Sequence, residues 1–318
     1  MTVILHSNLE TDLRLAAALD RELHMLLADM SSIIAREHGT DMAGLRRSGA
    51  LKDCGLVNGT GSDTKRVRFA GLAGTDAMST TAAENTDEGT TAMTDDSADI
   101  AVVRGSLRRD ISDLASMTGF ASDINPLVLA QSMVISSERW FNSLVATAIA
   151  GASTDVGTST VDASFDDWMD GIYTLEIASA PGPYAAILHP RQWADLQESL
   201  RGETGPVQFL PAVQAAIAIK GQGYVGSLAG VDVYLSTDVT SSGGNRHGAM
   251  FGYGALGYAA GVPLPVQGGA TEIRSGDAPI LVEIQRDSSA ATTEVVGHAY
   301  YGASLLEQGR IVGFVTDA

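Results

Sequence analysis

Residues 125–151 read Asn-Pro-Leu-Val-Leu-Ala-Gln-Ser-Met-Val-Ile-Ser-Ser-Glu-Arg-Trp-Phe-Asn-Ser-Leu-Val-Ala-Thr-Ala-Ile-Ala-Gly. Asn125 is a helix-capping residue, and Pro126 suits the first helical position because its missing N–H is not needed there. Leu127, Val134, Phe141 and Ala148 mark one face, with Leu144 and Val145 beside it, and Gly151 ends the run. About 26 residues at 1.5 Å each make a rod of roughly 39 Å, long enough to span a domain.

Downstream the pattern is mixed. Gly151 to Thr160 is a Gly/Ser/Thr linker, and Phe165 to Ala178 is helical. Tyr184 to Leu188 is a short buried strand; Pro190 then opens a helix from Arg191 to Arg201, with Gly202 as its stop. Val213 to Ile219 is predicted as a further helix, and Tyr224 to Ser236 alternates as a strand. Ser241-Ser-Gly-Gly-Asn245 is a turn, after which His247 to Phe251 returns as strand. Ile280 to Arg286 alternates cleanly, and Val295 to Ala303 and Ile311 to Val315 are closing strands. No internal repeat is present.

Upstream, Lys65 to Phe69 and Ile100 to Arg108 are β-like and flank a Thr-, Ala-, Gly- and Asp-rich stretch from Gly71 to Ala98. Loops this long inside a domain are uncommon and tend to be functional. Their charge is sorted. Lys65, Arg66, Arg68, Arg104, Arg108 and Arg109 sit on the stems; Asp76, Glu84, Asp87, Glu88, Asp95 and Asp96 sit toward the tip. Such a hairpin either reaches a neighbouring subunit or remains a solvated loop. Residues 9–37 form a long amphipathic helix, with Leu9, Ala16, Leu23 and Met30 every seven residues and Leu13, Leu19, Leu26 and Ile33 on the same side. After it Gly44 to Gly61 is loose, so the helix packs at home or docks on another body.

With 20 basic residues, only Lys52, Lys65 and Lys220 of them lysine, against 38 acidic ones, the net charge is −18. That argues against a protein whose task is to grip phosphates. Cys54 is the only cysteine, which excludes an internal disulfide and a zinc–thiolate cluster. No apolar run approaches the roughly 20 residues of a membrane helix. Met1-Thr-Val-Ile-Leu-His6 lacks the basic start and long apolar stretch of a secretory signal, so folding in the cytoplasm with nothing removed is expected.

Catalytic patterns are absent from the sequence. Gly252-Tyr-Gly-Ala-Leu-Gly257 matches a dinucleotide fingerprint, but that mechanism needs a long helix after the glycines, and Gly261 and Pro263 interrupt any such helix. The histidines (His6, His24, His38, His189, His247 and His298) lack metal-ligand spacing, and His189 is a structural residue before Pro190. The adjacent carboxylates Asp166 and Asp167 point apart, and neither a nucleophile elbow nor a phosphate loop occurs.

Taken in order, these elements resemble the Hong Kong 97-like capsid fold of tailed double-stranded DNA bacteriophages. The most family-like pieces are Tyr184-Ala-Ala-Ile-Leu-His-Pro190 with its following helix and Gly226-Ser-Leu-Ala-Gly-Val-Asp-Val-Tyr-Leu-Ser-Thr-Asp238. Asp113-Leu-Ala-Ser-Met-Thr-Gly119 running into Asp123-Ile-Asn-Pro126, and Tyr300-Tyr-Gly302 before a final strand, are similar too. The likeness covers nearly the whole chain and rests on order and spacing.

That resemblance implies an α+β fold: an N-terminal arm with a long helix (1–61), an extended β-hairpin loop (62–110), a peripheral domain (111–180) with a spine helix at 124–151, an axial domain (181–265), and closing strands of the peripheral domain (266–318). It implies a major capsid protein, not an enzyme, that self-assembles as hexamers and pentamers into the icosahedral head of the virion after folding in the host cytoplasm. The partners implied are other copies, a portal, scaffolding or decoration proteins, and packaged DNA in loose contact; no membrane, cofactor, metal or catalytic residue is implied. Intersubunit contacts are expected at Lys65, Arg66, Arg68, Asp76, Glu84, Asp87, Glu88, Arg104 and Arg108 of the hairpin and at Leu23 and Leu26 of the arm. The family's founding member cross-links through a lysine on the extended loop; here Lys65 sits on the stem, so that bond is not expected. An encapsulin nanocompartment shell, another virion structural protein and an α/β enzyme are the alternatives.

Overall fold

Pro126 opens the long helix in the computed structural model, which describes residues 45, 49–58, 61–70, 95–113, 126–202, 209–220, 223–262, 271–274 and 280–317. Strands β1 (Leu51–Leu56), β2 (Thr64–Ala70), β3 (Asp95–Ala101) and β4 (Val103–Ser112) precede this helix, α1 (Pro126–Ile149). Then come β5 (Asp155–Val156), α2 (Phe165–Ile177), β6 (Tyr184–Leu188), α3 (Pro190–Gly202), β7 (Phe209–Pro211) and α4 (Gln214–Lys220). Strands β8 (Tyr224–Leu228), β9 (Val231–Leu235), β10 (Ser241–Ser242), β11 (Asn245–Gly252) and β12 (Leu256–Ala260) follow. The last are β13 (Thr271–Arg274), β14 (Ile280–Asp287), β15 (Thr292–Leu305) and β16 (Ile311–Asp317). The expected helix at residues 9–37, with Leu23 and Leu26, lies outside the described residues.

Along α1 the buried ladder is Met133, Ser137, Phe141, Val145 and Ile149, joined by Glu138, Asn142 and Ala146. It advances in steps of four, whereas the sequence reading followed steps of seven. Of the residues the sequence reading placed on this face, Phe141 and Val145 are buried, and Leu144 and Ala148 are half-buried at its flank.

This helix packs against two sheets. One has the order β1-β12-β15-β14-β13, with β4 paired to β15; Tyr301 of β15 is bridged by Ala260 on one side and Val103 on the other. The second has the order β5-β16-β11-β6-β9-β8-β7, with β10 paired to β11. Strand alternation divides the second sheet between two cores. Ala185, Ile187, Ala249 and Phe251 face the α1 core. Ala186, Leu188, Met250, Val312 and Phe314 face Trp168 and Leu175 of α2 and Trp193 and Leu196 of α3. A capping box starts α2: the Ser164 hydroxyl accepts from the Asp167 N–H at 3.1 Å, and the Asp167 carboxylate accepts from the Ser164 N–H at 3.3 Å.

Two sequence expectations are corrected. Tyr224 to Ser236 is not one strand but the antiparallel pair β8 and β9, because Ala229 and Gly230 both take positive φ (51° and 85°) and close a tight turn. Ile100 to Arg108 is not one strand either. The chain changes partners at Val102, so β3 pairs with β2 and β4 pairs with β15.

Candidate assembly surfaces

The stem of the hairpin is the two-stranded sheet β2–β3, in register from Thr64 opposite Ala101 to Ala70 opposite Asp95. Arg66 donates from Nε and Nη2 to both carboxylate oxygens of Asp99, its register partner, at 2.9 and 3.0 Å. The Arg66 guanidinium holds the Asp99 carboxyl below the ordinary carboxylate range. Lys65 is half-buried opposite Ile100, and Arg68 is exposed opposite Ser97. Asp95 and Asp96, expected at the tip, are in the stem instead, opposite Ala70 and Phe69. Asp76, Glu84, Asp87 and Glu88 lie outside the described residues.

The base of the stem is anchored. Ile100 is fully buried against Ala259 and Leu306, with Cys54, Val67 and Val102 around it, and the Val102 N–H donates to the Asp63 carbonyl at 2.9 Å. Burial raises the Cys54 thiol above its ordinary pKa. Beyond the base, Arg108 is engaged within its own chain: Nε donates to Asp110 at 2.8 Å and Nη2 to the buried Glu294 at 2.5 Å. Gln285 donates to the second Glu294 oxygen at 2.9 Å. Arg104 and Arg109 are exposed on the same strand.

Sequence reading missed a polar cluster at the far end of the second sheet. Asp232 accepts from Lys220 at 2.5 Å, from the Tyr253 hydroxyl at 3.0 Å and from the Tyr224 hydroxyl at 3.3 Å. Burial opposes the Lys220 charge, but the hydrogen bond and field of Asp232 outweigh it and raise the Lys220 pKa. Lys220 and the Asp232 carboxylate thereby fasten α4 to β9, and the two tyrosines tie β8 and the β11–β12 turn to the same carboxylate. A third surface is apolar. Met169, Tyr173 and Ile177 on α2, and Leu210 and Val213 at the β7–α4 edge, are exposed. The sequence reading spans Phe165 to Ala178 as a helix and does not separate the exposed α2 row from the buried Trp168, Ile172 and Leu175.

The residues screened for chemistry have structural settings. Gly252 to Gly257 runs from β11 through a turn into β12, so a strand follows the glycines where a phosphate loop needs a helix. A Cβ at Gly257 would come within 2.8 Å of Leu306 and 3.0 Å of Cys54, so this glycine makes room for packing. His189 accepts from the Arg191 N–H at 3.1 Å, and burial, then the Arg246 charge, lowers its pKa. Among the described residues no group of three or more His, Cys, Asp or Glu is placed to hold a metal ion, and no helix is long and apolar enough to cross a membrane.

No family model matches the sequence, and no curated protein matches it. Solved structures do. The capsid of Ralstonia phage GP4 superposes with a TM-score of 0.59 at 10% identity, over 85% of this chain and 87% of that one. The chain has the fold of the tailed-phage capsids. The mature capsid of bacteriophage PhiM1 agrees, at a TM-score of 0.54 and 10% identity over 85% of this chain and 86% of that one. The SrpI encapsulin of Synechococcus elongatus shares the fold over 70% of this chain and 75% of its own, with a TM-score of 0.50 and 14% identity. The mixed helix-and-strand architecture expected from the order of elements is thus the one observed.

Proposed function

We propose that this chain is the major capsid protein of a tailed double-stranded DNA phage, a shell subunit without catalytic activity that assembles as hexamers and pentamers into an icosahedral head. The observation that carries the reading is the capsid fold, which extends over 85% of the chain in the likeness to the phage GP4 capsid. The finer assignment is Hong Kong 97-like. α1 lies within the spine helix of 124–151; residues 181–265, which supply β6 to β11, are the axial domain, and residues 111–180 with 266–318, which supply β14 and β15, are the peripheral domain. Residues 1–61 are the arm and 62–110 the extended loop.

In this reading the hairpin acids Asp76, Glu84, Asp87 and Glu88 reach basic side chains of a neighbouring subunit, and the stem cations Lys65, Arg66 and Arg68, with Arg104 on β4, lie along the same contact. Leu23 and Leu26 dock the arm, beneath α1 or on an adjacent copy. Each contact is weak, and closure of the shell multiplies it. A net charge of −18 suits a wall that touches packaged DNA only loosely. Portal, scaffolding or decoration proteins complete the virion, and assembly takes place in the host cytoplasm.

The likeness to the SrpI encapsulin favours a second reading, a nanocompartment shell. Electron microscopy of the purified protein, with its contents assayed, separates the two. Closed shells enclosing DNA after expression within a phage are expected; closed shells holding protein cargo and no DNA select the encapsulin reading. A chain that stays monomeric under all conditions, scaffold present, refutes both.

A further inference from the structure

Five of the eight large apolar side chains exposed among the described residues fall in two places. Met169, Tyr173 and Ile177, 42, 62 and 66% exposed, follow one another at four-residue steps along α2, opposite the side that covers the sheet. A helix that only covers its own sheet carries polar residues there. Exposed acids flank this ridge, Asp166 and Asp170 on one side and Glu176 on the other, and the helix has no Lys or Arg. The other place is the β7–α4 edge, where Leu210 and Val213 are 63 and 64% exposed. From Thr204 to Val231 the sequence has no Asp or Glu, and its only charged residue is Lys220.

Strand order sets these places apart. α2 lies over β5, β16 and β11 at one end of the eight-stranded sheet, and β7 is the edge strand at the other end. We infer that the α2 ridge of one copy packs on the β7–α4 edge of the next copy. Charge selects this pairing. At −18 per chain two copies repel on average, and ridge against ridge would set acids against acids. The β7–α4 edge offers the acidic ridge an apolar surface where Lys220 and Asp232 are already paired with each other, so the repulsion of acid against acid is avoided. Unlike patches at two ends of one sheet leave one of each free after every addition, so the contact runs head to tail and closes into a ring where the rotation permits. The inference rests on the shell reading and supplies it with a specific contact inside a ring of subunits.

Cysteine cross-linking tests it. Cys54→Ser removes the only thiol. In that background Tyr173→Cys and Val213→Cys are prepared separately, mixed, assembled and treated with a short bis-maleimide. Both positions are exposed in the subunit, so folding is preserved. The mixture is expected to give a band at twice the subunit mass, either protein alone to give none, and the double variant to give a ladder. Efficient cross-linking of Tyr173→Cys alone would mean a twofold ridge-to-ridge contact and overturns the inference. Intact particles with no cross-link in the mixture also overturn it, while leaving the shell reading in place. Failure of the parent chain to assemble at all defeats the shell reading and this contact together.

Discussion

Gly302 of β15 faces the carbonyl of Ala101 so closely that a side chain does not fit between them: a Cβ there would overlap that oxygen and stand 3.1 Å from the Ile100 side chain. The base of the hairpin therefore rests on a bare stretch of β15. Gly302→Ala forces β3 off the sheet and loosens the packing of Ile100 against Ala259 and Leu306. Overpacking of this kind costs about 1–3 kcal/mol. We expect Gly302→Ala to lower Tm, and Gly202→Ala, with nothing within 4 Å of its added methyl, to leave it unchanged. Equal melting curves for the two variants would remove this account of how the hairpin is seated.

Gln192 is a buried junction. Its carbonyl oxygen accepts from the His189 N–H at 3.0 Å, and its amide donates to the Phe314 carbonyl at 3.0 Å and the Thr316 hydroxyl at 2.9 Å. Gly248 lacks a Cβ where one would stand 2.8 Å from that Gln192 oxygen. Gln192→Leu keeps most of the volume and strands these partners in the core. Leaving a buried polar group unsatisfied costs about 1–3 kcal/mol, so a total loss above ~2 kcal/mol is expected in urea unfolding. A midpoint equal to the parent's would show that water replaces the amide.

The helices were legible because each carries its own punctuation. Pro126 and Pro190 mark starts, Gly202 a stop, and the apolar residues repeat near the helical period. Strands that borrow their stability were not legible. β1, Leu-Lys-Asp-Cys-Gly-Leu, buries only Leu51 fully and exists by pairing with β12, so its own sequence has no alternation to detect. β3, with Asp95, Asp96 and Asp99, reads as loop until Arg66 is seen opposite Asp99. The place of β16 between β5 and β11 is a matter of tertiary order that no local pattern encodes. For the surfaces, sorting of charge picked out the cations but neither their partners nor that Arg104, Arg108 and Arg109 lie on β4, off the stem. Arg66 and Arg108 find theirs 33 and 186 residues away. The α2 ridge was hidden because a buried row and an exposed row at the same spacing make one unbroken helical signal.

Acid should loosen the join between β14 and the segment after β4. Arg286 donates to both carboxylate oxygens of Asp113, and this guanidinium holds the Asp113 carboxyl below its ordinary range. The folded state thus binds its proton less readily than the unfolded state. The pair's contribution is present above the ordinary carboxylate pKa, about 3.9, and is lost as pH falls through the depressed folded value. Asp113→Asn should flatten the fall in stability below about pH 4 without changing the profile at higher pH. An acid limb as steep as the parent's in chemical unfolding across that range would show that this pair adds nothing.

The hairpin can be excised without disturbing its stem. Ala70 and Asp95 are register partners at the end of β2–β3, so replacing residues 71–94 with Asn-Gly joins them by a two-residue turn that suits antiparallel strands. The stem keeps Arg66 on Asp99 and its base keeps Ile100 in the core. The shortened chain is therefore expected to fold, with a Tm close to the parent's. If the excised segment carries Asp76, Glu84, Asp87 and Glu88 onto a neighbouring subunit, those contacts vanish while every intrachain contact described above remains. Sedimentation should then show soluble subunits or small oligomers in place of stable shells. Particles of normal yield and heat resistance would mean that the hairpin is dispensable to assembly, and the contact would have to be sought on the folded core instead.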